Sequence, residues 1–339
     1  MIIQLEEKLS KKKKENILSK IKSIGYKPTD VKTQRAEYLV CIGKKEFDIR
    51  LIGSLEGVRD VHRVSDSYKL VSKKWKVGYS TINLGDGISI GGNGLSIMAG
   101  PCSIESEEQI KKIAAHLKQN GIKIIRGGVF KPRSSPYAFR GIGMEGLKMV
   151  HRICSEHGIK IITEVMQVSQ IEPMYDYVDI YQVGARNSQN FNLLDALGKI
   201  DKPVLLKRGM SGTIDELLQS AEYIFSNGNE KLLLCERGIR TYETAYRNTF
   251  DINAIAVLKE KTHLPVIADP SHGIGLREFV PHIALAAAIA GADGIIYEVH
   301  EKPEEAMSDG QQTLNFAESN ELIRRLNSLF QCSTIEHQV

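Results

Sequence analysis

The chain has 339 residues, 42% hydrophobic and 25% charged, with a formal net charge of +4. That length suits one large domain or a small domain joined to a large one, since a single eight-unit barrel commonly runs to about 250 residues. The charge is too mild and dispersed to argue for nucleic acid, no run of about 18 apolar residues marks a membrane span, and no secretory signal core stands at the N-terminus, so a cytoplasmic protein is expected.

Residues 1 to 64 alternate strand-like and helical segments. In order they are "IIQLE", a helix through "KLSKKKKENILSKIKSIG", "PTDVKTQ", "EYLVCIG", a short helix near "KEFDIRLIG", and "VRDVHRV". This βαββαβ order predicts a small ferredoxin-like α+β domain. The Lys11 to Lys14 run falls on the first helix and is read as a solvated face. Polar "SDSYKLVSKKWKVG" is read as a linker, with residues 65 to 94 leading into the next domain.

From residue 95 to about 330 the rhythm changes. Eight apolar runs, "LSIMAG", "IKIIRG", "IKIITEV", "VDIYQVG", "PVLLKR", "KLLLCER", "LPVIADP" and "DGIIYEVH", alternate with amphipathic helical stretches. Unalternated apolar runs belong to strands buried on both faces, and eight β/α units are the count that closes a parallel barrel. The predicted fold class is therefore α/β, a (β/α)8 TIM barrel behind a small N-terminal domain.

Active sites of such barrels gather at the C-terminal strand ends. Here those ends offer Cys102, Arg126, Glu164, Arg186, Lys207, Glu236 with Arg237, Asp269 with His272, and Glu298 with His300. Arg126, Lys131, Arg133, Arg186, Lys207 and Arg237 are expected in one mouth with few carboxylates to cancel them, which predicts a polyanionic substrate. Pairing of Lys207 with Glu236 is the structural alternative for that lysine. Cys102, His272, Glu298 and Asp309 form a second set whose mixed S, N and O donors suit a divalent Mn, Fe, Co or Zn ion better than Mg. The five cysteines, Cys41, Cys102, Cys154, Cys235 and Cys332, have no CxxC spacing and are expected to be reduced.

At these residues the sequence resembles the 3-deoxy-D-arabino-heptulosonate 7-phosphate (DAHP) synthases. The resemblance rests on "AGPCSIES", "RGGVFKPRSSPYAFRG", "VGARNSQNFNLL", "KRGMSGT", "CERGIRTYETAYRNTFD", "ADPSHG" and "EVHEKPEEAMSDGQQTL", which span about residues 98 to 314. It implies a metal-dependent, aldol-like condensation of phosphoenolpyruvate with erythrose 4-phosphate, the first step towards the aromatic amino acids. Cys102, His272, Glu298 and Asp309 would then hold the metal. Arg126, Lys131, Arg186, Lys207 and Arg237, with backbone near Gly184 and Ala185, would hold phosphoenolpyruvate, and Arg133 and Ser134 the phosphate of the second substrate. Arg140 carries no assigned role.

The mechanism expected from the resemblance has the metal polarise the aldehyde, C3 of phosphoenolpyruvate attack it, and water add at C2 before phosphate leaves. Glu164 would orient that water, with Lys131, Lys207 and His272 as the other catalytic residues. The resemblance further implies feedback inhibition by tyrosine or phenylalanine at the N-terminal domain, and a homotetramer is expected. Three alternatives stand beside this reading. The first is a 3-deoxy-D-manno-octulosonate 8-phosphate synthase, whose aldehyde loop follows a "KANRSS" pattern where this chain has "KPRSS". The others are a Schiff-base aldolase using Lys207 and a non-catalytic amino-acid sensor.

Overall fold

The computed structural model describes residues 1 to 339 except 77, 93, 132–136, 138 and 334–339, and the side chains of 330–333 are likewise not described. Arg133 and Ser134 thus lie outside the described residues. The N-terminal elements run β1 (Ile2–Leu5), α1 (Lys11–Ser23), β2 (Lys27–Lys32), β3 (Glu37–Ile42), α2 (Arg50–Gly53) and β4 (Val58–His62). Their four strands form an antiparallel sheet in the order β2-β3-β1-β4. Alternation along the strands gives the sheet two apolar faces. Ile3, Leu39 and Cys41 pack on Ile17 and Ile21 of α1 and Ile52 of α2, whereas Ile2, Val31 and Tyr38 join the main core.

A hairpin of β5 (Ile82–Gly85) and β6 (Ile88–Ile90) precedes the barrel. The barrel strands are β7 (Ser96–Gly100), β8 (Ile124–Arg126), β9 (Lys160–Glu164), β10 (Ile180–Val183), β11 (Val204–Lys207), β12 (Leu232–Glu236), β13 (Val266–Ala268) and β14 (Gly294–Glu298). Parallel pairing of β14 with β7, from Gly294 opposite Ser96 to Glu298 opposite Gly100, closes the ring. The described helices are α3 (Glu107–Gln119), α4 (Met144–Ser155), α5 (Ile171–Met174), α6 (Phe191–Leu197), α7 (Ile214–Ser226), α8 (Ile252–Lys261), α9 (Pro270–Ile274), α10 (Val280–Ile289) and α11 (Phe316–Ser333). Side-chain caps start several of them, among them Ser106 at α3 and the reciprocal Thr213–Glu216 box at α7. Among the described residues no helix is long and apolar enough to cross a membrane.

Strand alternation also sorts the barrel residues. Met98, Ile124, Ile162, Ile180, Leu205, Leu233, Cys235, Ile267 and Ile296 fill the interior, while neighbours such as Leu206, Leu232 and Leu234 face the helices. Ile82 and Ile90 of the hairpin enter the same interior cluster and close that end of the barrel. The segment read as a polar linker is packed instead: Tyr68, Leu70, Val71 and Trp75 are buried in the main core. Trp75 meets Tyr38 of the sheet edge-on at 5.3 Å and His263 of the barrel at 5.6 Å. Polar residues complete the junction, with Gln34 donating to Asn229 at 3.3 Å and accepting from the Glu230 amide at 2.9 Å. Asn229 and Glu230 precede β12, so the sheet docks at the N-terminal end of the barrel strands.

Candidate active site

The interior parity that places Ile124, Ile162, Leu205, Cys235, Ile267 and Ile296 continues two residues further along each strand. It brings Arg126, Glu164, Lys207, Arg237, Asp269 and Glu298 to the inside of the barrel's C-terminal end. There a cavity of about 190 Å³ is lined by Arg126, Lys131, Glu164, Gly184, Ala185, Arg186, Lys207, Arg237, His272 and Asp309, together with Thr163, Gln182, Met210 and Arg247. Every described residue expected to hold substrate therefore reaches one cavity. Glu236, of opposite parity, does not line it; its carboxylate accepts from Arg208 at 2.9 Å and from the Gly238 amide at 2.7 Å. His300 turns away as well, its Nδ1 accepting from the Lys302 amide at 3.0 Å.

The cations are less bare than their sequence neighbourhood suggests. Arg126 donates to Glu298 at 2.9 Å, and Lys207 pairs with Asp269 at 2.5 Å rather than with Glu236. Both carboxylates share the interior face, which no short-range spacing reveals. Arg186 and Arg237, among the described residues, make no ion pair with a carboxylate, and the buried Arg126 Nε has no hydrogen-bond partner. Burial depresses the Arg237 pKa against the pull of Asp269. Donors left this way in a cavity are the condition under which an anion binds. Arg140, by contrast, is exposed.

Glu164 is buried in the cavity wall, and burial raises its pKa although Lys131, Lys207, Arg126 and Arg186 pull it down. A Cβ at residue 184 would stand 2.1 Å from Glu164 Oε1, so only glycine leaves this carboxyl its place.

The donor atoms of Cys102, His272, Glu298 and Asp309 all lie within 4.8 Å of one another. Asp269, the N-cap of α9, accepts from the His272 amide at 3.1 Å and from His272 Nδ1 at 2.8 Å. That bond assigns the proton to Nδ1 and leaves the Nε2 lone pair 3.5 Å from Glu298 Oε1. Burial lowers the His272 pKa, favouring the neutral, ligating form. Burial alone would raise Glu298, but positive charge at the site, of which the Arg126 guanidinium is the permanent part in contact with it, holds it below the usual carboxylate range. The Cys102 thiol is pushed up to about 12, chiefly by burial and then by Glu298. It donates to Asp309 at 3.1 Å and accepts from Lys131 at 3.1 Å. Asp309 sits in the left-handed region at φ 54°, its carbonyl accepting from Thr313 Oγ1 at 2.9 Å. Lone pairs and carboxylates directed at a common point repel one another unless a cation lies between them. A divalent ion fits this donor set, and the S, N and O mixture favours a borderline transition metal or zinc.

Sequence reasoning named Asp269 as a strand end without a role and missed Arg247 and Gln312. Asp269 was findable, since an acid at the N-cap three residues before a ligand histidine can orient it. Arg247 and Gln312 are brought in by loops, and no spacing announces them.

A profile of the DAHP synthetase I family matches residues 72–332. Over 276 residues the chain is 46% identical to a phospho-2-dehydro-3-deoxyheptonate aldolase of Thermotoga maritima, covering 81% of each chain. It is 33% identical over 256 residues to a 2-dehydro-3-deoxyphosphooctonate aldolase of Coxiella burnetii, covering 70% of this chain and 90% of that one. The crystal structure of the Thermotoga maritima aldolase, a DAHP synthase, is similar with a TM-score of 0.78 at 41% identity, over 98% of this chain and 97% of that one. A truncated form of the Thermotoga maritima DAHP synthase gives 0.74 at 43% identity over 78% of this chain and 97% of that one. The family profile takes in every barrel strand from Ser96 to Glu298, and the chain accordingly belongs to the DAHP synthetase I family.

Proposed function

We propose that the chain condenses phosphoenolpyruvate with D-erythrose 4-phosphate to give DAHP and phosphate. The observation that carries this reading is a cavity lined by Arg186 and Arg237, which have no carboxylate partner among the described residues, and by His272 and Asp309 of the four-donor cluster. Arg186, Arg237, Lys131, Lys207 and Arg126, with backbone at Gly184 and Ala185, grip the carboxylate and phosphate of phosphoenolpyruvate, the guanidinium forks binding in bidentate fashion. Arg133 and Ser134, outside the described residues, are assigned to the sugar phosphate. A divalent Mn, Fe, Co or Zn ion held by Cys102, His272, Glu298 and Asp309 supplies Lewis-acid polarisation of the aldehyde oxygen. Glu164 orients the water that adds at C2 and takes its proton, a role suited to a buried carboxyl of raised pKa. Lys131 and Lys207 offset negative charge on the reacting phosphoenolpyruvate, and Asp269 keeps His272 in its ligating tautomer.

Residues 1–64 are proposed to form a ferredoxin-like regulatory domain that takes tyrosine or phenylalanine, with 65–94 leading into a catalytic barrel at 95–330. The antiparallel order β2-β3-β1-β4 supports the fold assignment, as does the likeness of 98% of the chain to the full Thermotoga maritima structure. A homotetrameric, cytoplasmic enzyme is part of the same proposal. Purified protein given phosphoenolpyruvate with erythrose 4-phosphate or arabinose 5-phosphate tests the substrate. The seven-carbon product is expected; reaction with the five-carbon sugar alone would replace this reading with the octulosonate synthase.

A further inference from the structure

Gln312 is fully buried, and neither of its amide groups is idle. Its Oε1 accepts from Arg247 Nη1 at 2.6 Å, and its Nε2 donates to Glu298 Oε2 at 2.7 Å. A guanidinium only donates and a carboxylate only accepts, so this amide has one orientation that satisfies both neighbours. The other Glu298 oxygen, Oε1, accepts from Arg126 at 2.9 Å and is the one 3.5 Å from His272 Nε2. Gln312 thus holds one carboxylate oxygen while the second faces the donor cluster.

Arg247 braces this arrangement from two further sides. Its Nη1 donates to Asp309 Oδ1 at 3.3 Å, and its amide donates to the Ile274 carbonyl at the end of α9, the helix that carries His272. A Cβ on Gly275 would stand 2.3 Å from Arg247 Cβ, so the left-handed glycine that ends α9, at φ 72°, lets the arginine pack closely there. Three of the four donor residues therefore touch, or are carried beside, one guanidinium–amide pair. The choice of amide has a chemical reason. An acid at residue 312 would add a fourth anionic group to the thiolate and two carboxylates that face a divalent ion, and a lysine would cancel the charge that holds it.

We infer that Gln312 is a positioning residue for the metal, fixing Glu298 by its Nε2 while Arg247 fixes the amide. The inference rests on reading Cys102, His272, Glu298 and Asp309 as a metal site. The test uses full-length protein stripped by chelator and titrated with cobalt(II), following the near-ultraviolet thiolate-to-cobalt band that Cys102 supplies, in the parent and in Gln312→Leu, Gln312→Glu and Arg247→Met. Loss of an outer-shell partner weakens metal binding roughly 10–100-fold, and that loss is expected for Gln312→Leu, with a shifted band. Gln312→Glu, isosteric but of like charge to Glu298, is expected to weaken binding further, and Arg247→Met less. Phosphoenolpyruvate affinity without metal is expected to change less than about twofold in both Gln312 variants, a split that general unfolding would not give. Cobalt affinity and band unchanged in a folded Gln312→Leu would overturn the inference. Should that variant not fold, unchanged cobalt binding in Gln312→Glu and Arg247→Met does so. A parent protein that binds no cobalt defeats the metal reading itself and this inference with it, whereas normal binding in parent and variants alike defeats this inference alone.

Discussion

Glu164 stands two positions beyond Ile162 on β9 and so inherits the interior direction of that strand. Its pKa is raised above the ordinary carboxylate value by burial, which has a consequence for stability as well as chemistry. A raised folded-state pKa contributes stability that is present below the unfolded value and is lost as pH rises through the folded one. Above that range the carboxyl therefore gives the fold nothing that glutamine would forfeit. Glu164→Gln is expected to lower kcat by about 10²–10⁴-fold, the span of general acid–base catalysis, with Tm equal to or above the parent's. A drop in Tm without a drop in kcat would remove Glu164 from the mechanism. At Cys102 the expectation concerns the metal: Cys102→Ser replaces the soft donor and should weaken cobalt binding by more than the roughly 10–100-fold of an outer-shell change, measured by titration. The residue types at the strand ends were legible in the sequence. Their sorting into cavity and non-cavity groups was also legible in principle, because Arg237 shares the parity of Cys235 and Glu236 does not. The ion pairs were not, since Arg126 meets Glu298 from 172 positions away.

Among the elements, the hairpin of β5 and β6 escaped the sequence reading. Its two strands are short, and Gly85, Asp86 and Gly87 all take positive φ, so the segment looks like turn rather than strand. Its apolar residues nevertheless close the barrel interior. Ile90→Ala, at a fully buried position, is expected to cost about 2–5 kcal/mol in urea unfolding while leaving the KM for phosphoenolpyruvate unchanged, because the cavity lies at the other end. The segment that follows the N-terminal sheet offers a pH test. His263 is buried, its Nε2 donating to the Leu70 carbonyl at 2.8 Å and its Nδ1 accepting from Ser80 at 2.8 Å, and burial lowers its pKa to about 3. A depressed histidine contributes stability above the unfolded pKa and loses it as pH falls, at about 1.4 kcal/mol per unit. Between pH 7 and 5 this amounts to about 2 kcal/mol from the one group. Trp75, the only tryptophan, packs on His263 and reports the transition by its emission. His263→Gln should flatten the pH dependence of the urea midpoint by that amount; an unaltered slope would show that His263 does not titrate in this range. The "SDSYKLVSKKWKVG" stretch looked like a linker because its lysines, serines and aspartate together outnumber its apolar residues, yet Tyr68, Leu70, Val71 and Trp75 are its anchors.

Taken as a whole, the molecule separates its two ends. The sheet of residues 1–64 docks where the barrel strands begin, through Gln34, Asn229, Glu230 and Trp75, and the cavity opens where they end. Deleting residues 1–64 is therefore expected to leave condensation activity and to abolish inhibition by an aromatic amino acid. It should also lower Tm, because Tyr38 and Val31 would no longer cover Trp75 and its neighbours. Retained folding with lost activity would instead make the sheet part of the catalytic unit. Barrel closure was legible from eight apolar runs, since each closes a β/α unit and parallel strands need both faces covered. The docking of the sheet was not, because it depends on which of two apolar faces meets the barrel. One measurement decides whether the chain is a metal-dependent condensing enzyme: formation of the seven-carbon product and phosphate from phosphoenolpyruvate and erythrose 4-phosphate by chelator-stripped protein, before and after adding Mn, Co, Zn or Fe. Loss of turnover on stripping and its return with the metal is the predicted result. Full turnover in thoroughly demetallated protein, especially if borohydride then trapped substrate on Lys207, would contradict it.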